Sequence, residues 1–240
     1  MEPVNLMSEL WFDHEPQLDL EALTAAVPGT HVLDKALVHP RFNYTYAGGE
    51  QSAIMTAFFT AEDGAEGRDP HTEQTWGWEE ADAVLARCTH SILVAEMFGR
   101  VQALDERLEA YLPALCAAIE QLRPAAVWLP NSVRVVQPSK ILGQPFNACV
   151  NVRLFNVEDS DDHFMDTIGL HQLDLPDFQV VFSGEEPNDI ATFLYDCAGY
   201  LLEQGDVIED GNTIGDRPWR CHFDMARVEP ERRALTLSDA

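Results

Sequence analysis

Basic residues are scarce in this chain. Two lysines, Lys35 and Lys140, and thirteen arginines stand against 41 acids, a formal net charge of −26. A nucleic-acid binder neutralises phosphates with Lys and Arg, so this balance argues against DNA or RNA as partner. Anionic membrane surfaces fail by the same logic. Long apolar runs are missing too. No stretch approaches the 18 or so continuous apolar residues of a membrane span. The start, MEPVNLMSELWFDHEPQLD, has neither the basic nor the apolar region of a signal peptide, so the expected location is the cytoplasm. Cysteine pairs are absent as a motif. The five Cys, at 88, 116, 149, 197 and 221, are odd in number and include no C-x-x-C. Four sit in apolar segments, which points to reduced, buried thiols.

What is present is apolar mass. Hydrophobic residues make up 46% of 240, enough for one large domain or two small ones with real cores. Periodicity predicts strands at 4–12, 31–39, 41–50, 52–61 and 90–98, with short helices at 19–27 and 79–88. Residues 62–78, EDGAEGRDPHTEQTWGW, read as a loop rich in Gly, Pro and acids. The longest helix is expected over 105–122. Leu108, Tyr111, Leu112, Leu115, Ile119 and Leu122 form its apolar stripe, and Pro113 kinks it or marks a junction. A strand at 125–130 follows.

The second part predicts a strand over 147–158, a turn at SDDHF, then two strands joined by a Pro-containing turn. An amphipathic helix over 186–205 has Pro187 in its first turn and Gly205 as its stop, and a terminal strand pair closes the chain. The expected class is α+β, with two ferredoxin-like βαββαβ-type halves, antiparallel sheets and helices packed on one face. The boundaries read as an N-terminal half at 1–98, a linking helix at 99–124 and a C-terminal α+β half at 125–240.

Four groups of residues invite a chemical reading. His163, Asp166 and His171, beside Asp161 and Asp162, combine metal-ligand types. Their spacing is against a metal site, because His163 and Asp166 would face opposite sides of a strand. Cys221 and His222 are adjacent, so a strand points them to opposite faces, out of nucleophile-to-base reach. No metal, no cofactor and no catalytic residue is assigned. The glycines of GDVIEDGNTIG lack the Walker Lys-Ser/Thr pair and the strand-to-helix setting of a dinucleotide site, so they read as turn residues with positive φ. Trp76 and Trp78 lie on an acidic loop at a helix start. They are either binding anchors or a staple tucked onto the core.

The acids themselves fall in sets. Glu62, Asp63, Glu66, Asp69, Glu73, Glu79, Glu80 and Asp82 put eight carboxylates in 21 residues with one base, Arg68. A second set is Glu158, Asp159, Asp161 and Asp162, and a third is Glu185, Glu186 and Asp189. Each alone is a solvated face. Together they describe a surface suited to a cationic protein, whose encounter complementary fields would speed. The candidate partner-binding residues are the first set, Asp161, Asp162, Trp76 and Trp78.

MDTIGLHQLDLPDFQ (165–179), LLEQGDVIEDGNTIG (201–215) and WRCHFD (219–224), in that order, resemble the C-terminal region of a bacterial family named domain of unknown function 4261. The resemblance runs over about residues 90–237. The family name implies no activity. By analogy with other acidic bacterial domains found near secreted toxin genes, the resemblance implies an immunity protein. The expected function is therefore a non-enzymatic acidic cytoplasmic binding protein that neutralises a cognate toxin by covering its basic surface. The alternatives are an intracellular hydrolase or transferase with a Cys-His or Asp-His site, and an accessory or structural component of a secretion or regulatory complex.

Overall fold

A computed structural model describes residues 5–17, 19–26, 31–33, 36–46, 49–58, 62–63, 72–96 and 103–239. The protein is α+β, and the chain divides into two compact units, Asn5–Ala148 and Cys149–Ala240.

In the first unit the order is β1 (Met7–Phe12), α1 (Leu20–Ala26), β2 (His31–Leu33), β3 (Ala36–Tyr46), β4 (Gly49–Phe58), β5 (Glu62–Asp63), α2 (Ala81–Leu85), β6 (His90–Ala95), α3 (Leu104–Leu122), β7 (Ala126–Leu129), β8 (Arg134–Val136) and α4 (Pro138–Gly143). Five strands form an antiparallel sheet in the order β5-β6-β1-β7-β8, while β2-β3-β4 form a separate sheet. The central strand β1 is buried on both faces, which is why its alternation is weak in the sequence. Its even residues Ser8, Leu10 and Phe12 share one face. The Tyr111 hydroxyl of α3 lies 2.7 Å from Ser8 Oγ. The odd residue Trp11 packs with Leu85, Cys88, Ala126 and Val135, and meets Trp128 edge-on at 6.2 Å.

α3 is a single helix through Pro113, which is exposed. It is anchored by a buried ion pair in which Arg107 donates to Glu96 at 2.8 and 2.7 Å, and Glu96 also accepts the Leu6 N–H at 3.1 Å.

The second unit holds β9 (Asn151–Asn156), β10 (His163–Ile168), β11 (Asp177–Phe182), α5 (Pro187–Gln204), β12 (Trp219–Met225) and β13 (Arg233–Asp239). Its sheet runs β12-β13-β11-β10-β9 and is antiparallel except for the β11–β13 pair. α5 crosses between β11 and the β12–β13 hairpin. Pro187 fits its first turn, Ile190, Leu194, Cys197, Ala198 and Leu201 recur at three- and four-residue steps as its buried face, and Gly205 (φ 81°) ends it with an N–H to Leu201 O at 2.8 Å. Each fully buried Leu or Ile there contributes roughly 1.5–3 kcal/mol.

The outer edge of β12 is covered. Gly211 donates to Cys221 O at 2.7 Å, and Cys221 donates to Asn212 O at 2.8 Å. The Phe223 N–H goes to Asp210 Oδ1 at 2.9 Å.

The α+β class holds, while the ferredoxin-like halves are not confirmed: β2, β3 and β4 pair among themselves and not with the five-stranded sheet of their unit. Periodicity sees that a segment is a strand but not which strand it joins. Residues 104–122 belong to the first compact unit, and strands 126–129 and 134–136 join its sheet on one side of β1; the two units meet in the chain at 148/149.

Candidate functional site

The acidic segment before α2 presents its two indoles differently. Trp76 is 43% exposed, whereas Trp78 is half-buried against the core cluster that holds Trp11. Gly77 between them is left-handed, with φ 71°, which breaks the alternation a strand would impose. Thr75 ties the segment to β8 by accepting the Val135 N–H at 3.3 Å. So Trp78 takes the stapling role and Trp76 the exposed one. Glu73, Glu79, Glu80 and Asp82 are all exposed beside Trp76 in the chain. Glu62 and Asp63 form the backbone of β5, opposite Ser91 and His90. Glu66 and Asp69 lie outside the described residues.

In the second unit the turn between β9 and β10 exposes Glu158, Asp159 and Asp161, with Asp162 half-buried. The fold brings two acidic sets together there. Asp162 and Glu185, joined by Asp239 and Trp219, line a cleft of about 450 Å³. Asp239 accepts the Trp219 indole N–H at 3.1 Å, and Glu185 accepts Arg217 at 2.6 Å. Among the described residues no group of three or more His, Cys, Asp or Glu is arranged to hold a metal.

The residues first weighed for metal chemistry have other partners. Asp166 is fully buried and takes Arg153 at 2.9 and 2.6 Å and Arg232 at 2.7 Å. Asp177, also fully buried, takes Arg232 at 3.0 Å, the Thr167 hydroxyl at 2.9 Å and the Leu170 N–H at 3.2 Å. His171 Nδ1 stands 3.3 Å from the same carboxylate, while the His163 ring packs near Phe182 at 5.6 Å.

Arg232 places all five N–H groups: its remaining bonds reach Val228 O, Pro230 O and Thr167 O at 2.8, 2.9 and 3.0 Å. A guanidinium and two carboxylates satisfied in this way have little left to offer a substrate, so the cluster holds the 226–232 segment onto the sheet.

Register shows the wider pattern. Arg153, Asp166, Gln179, Thr236 and His222 are successive Cα partners across all five strands, one polar row over the sheet. Gln179 Nε2 donates to Thr236 Oγ1 at 2.8 Å and its Oε1 accepts the Arg227 N–H at 3.0 Å. The sequence reading misses Arg153 and Arg232. For Arg153 the available signal is a base between Val152 and Leu154 in a chain short of bases; Arg232, between Glu231 and Arg233, carries no such signal.

Two buried thiols are held in the protonated form. Burial pushes Cys197 up to about 12, reinforced by Cys221 and Asp196, and pushes Cys221 up to about 11. Cys221 is fully buried while neighbouring His222 is half-exposed on the opposite face.

The glycines of GDVIEDGNTIG serve turns. Gly205, Gly211 and Gly215 have φ of 81°, 84° and 66°. A Cβ on Gly215 would come within 2.7 Å of Phe193 Cε2.

No helix among the described residues is long and apolar enough to cross a membrane. No curated protein and no solved structure matches the chain. Residues 166–238, a span that holds Asp166, Asp177, Arg232 and α5, match the model of the family described as a domain of unknown function, DUF4261.

Proposed function

We propose that this protein is a non-enzymatic, cytoplasmic binding protein, most concretely an immunity protein that neutralises a cognate toxin by covering its basic surface. The reading is carried by one observation: Trp76, 43% exposed, sits in a run of exposed carboxylates, Glu73, Glu79, Glu80 and Asp82. An indole buries a large apolar area at little entropic cost, and flanking acids orient a cationic partner. The net charge of −26 extends the attraction beyond contact. Trp78, partly buried against the core of its unit, supports the loop that presents Trp76. Asp161 and Asp162 are candidates for a second contact in the other unit.

The hydrolase or transferase alternative has less support. A Cys-His site needs an accessible thiolate, and burial holds Cys221 protonated. The Asp-His pair His171–Asp177 has its carboxylate already bound by Arg232 and Thr167. An accessory component of a secretion or regulatory complex would use the same surface with a different partner.

The test is affinity capture from the native host at low and high salt. The expected result is a basic protein whose retention falls as salt rises, and whose affinity falls by about 1–3 kcal/mol with Trp76→Ala. Retention indifferent to both salt and Trp76, or turnover of any small substrate, overturns the reading.

A further inference from the structure

We propose that a cleft along α5 receives an arginine side chain of a basic partner protein; this deepens the binding reading above and rests on it. The cleft has a volume of about 590 Å³, within the usual range of a ligand site. One stripe of α5 supplies its wall in alternating chemistry: Asp189, Phe193, Asp196 and Tyr200 follow at steps of four, three and four residues, so they share a face. The segment after α5 supplies the floor, where Ile208 and Ile214 are almost fully buried. Asp216 adds a third carboxylate at the rim. No salt bridge engages any of these three Asp residues among the described ones. Tyr200 is 45% exposed at the mouth.

One end of the cleft already holds a guanidinium. Arg217 lies over the Trp219 ring at 4.6 Å and the Phe193 ring at 5.2 Å, and its Nη1 is 2.6 Å from Glu185. The chain thus shows in its own structure how an arginine is held here, with its charge over two rings and an N–H on a carboxylate. Asp196 and Tyr200, one turn apart, repeat that pair of chemistries in the open part of the cleft. A guanidinium fits both better than an ammonium, because it stacks, is weakly hydrated and donates bidentately. Three carboxylates with a single paired cation give the cleft the charge that a basic protein requires and that a phosphate ligand would not tolerate.

The test titrates the full chain with N-acetyl-arginine amide, its neutral isostere N-acetyl-citrulline amide, and N-acetyl-lysine amide, reading backbone amide NMR shifts. Saturable millimolar shifts at Tyr200, Thr213 and Gly215 are expected with the arginine amide alone. Affinity should weaken about tenfold in Asp196→Asn and in Tyr200→Ala, two exposed positions whose replacement leaves the fold intact. No saturable shift at the cleft, equal binding of citrulline, or lysine binding as strong as arginine overturns the proposal. The two readings fail separately. If the host partner is captured by wild type and equally by Asp196→Asn, the cleft assignment falls and the binding function stands. If the arginine amide seats as expected but no basic partner is captured, the function falls and the site stands.

Discussion

Arg153 on β9 and Asp166 on β10 are register partners and ion-pair partners at once: their Cα positions face each other across the ladder, and the guanidinium closes on the carboxylate at 2.9 and 2.6 Å. Arg232, arriving from 66 residues later in the chain, shares the same carboxylate. Deleting the shared acid leaves buried Arg153 without its carboxylate and Arg232 with Asp177 alone. Asp166→Ala is expected to cost about 3–5 kcal/mol in urea unfolding of the full chain. A loss below about 1 kcal/mol would mean the cluster does not hold the sheet face together.

The two indoles should separate in a stability measurement. Trp78→Ala removes a ring packed on the core cluster around Trp11 and is expected to cost about 1–3 kcal/mol. Trp76→Ala is expected to stay within about 0.5 kcal/mol of wild type. Equal losses at both positions would place both rings on the core.

Gly215 carries two constraints. Its φ of 66° and the 2.7 Å approach of a Cβ to Phe193 make Gly215→Ala unfavourable by about 1–2 kcal/mol from the backbone alone. The displaced Phe193 ring should also disturb the Arg217 stack. Circular dichroism melts and the near-ultraviolet signal of Trp219 read the two effects. An unchanged melting temperature would show that the turn relaxes freely.

The thiols give a pH dependence with a definite sign. The folded Cys197 and Cys221 titrate at about 12 and about 11, above the ordinary 9.0, so between these values the folded state holds protons that the unfolded state has lost. Their contribution is complete below about 9 and falls away as pH rises through 11 to 12. Stability should decline on the alkaline side, less steeply in Cys197→Ala. At neutral pH, iodoacetamide should label these two only as fast as the protein opens. Rapid labelling of native Cys221 would contradict the assignment.

Much of the second unit is legible in the order of its residues alone. The helix expected at 186–205 is Pro187–Gln204, because Pro187, Gly205 and a clean apolar stripe are all local signals. The strand at 147–158 is found at Asn151–Asn156 for the same reason. Helix 105–122 is continuous, because the exposed Pro113 costs a bond without clashing with the core. The pairing of strands is not legible. A polar row running from Arg153 to His222 exists only once five strands are in register, and Arg232 finds Asp166 and Asp177 only when the 226–232 segment folds back. The candidate site divides likewise. Acidic sets 158–162 and 185–189 look separate along the chain and meet at Asp162 and Glu185. The Trp76–Trp78 pair looks alike and is split by the backbone of Gly77.

The roof that Gly211, Asn212 and Asp210 build over β12 bears on how the protein behaves at high concentration. Phe223 and Met225 sit bare on that strand, a combination that invites a neighbouring chain to add itself as a sixth strand. An incomer would first have to strip away two main-chain bonds and a carboxylate cap, and would then meet strong like-charge repulsion. Polymerisation through this rim is therefore disfavoured twice, and the greasy residues there can remain uncovered without seeding fibres.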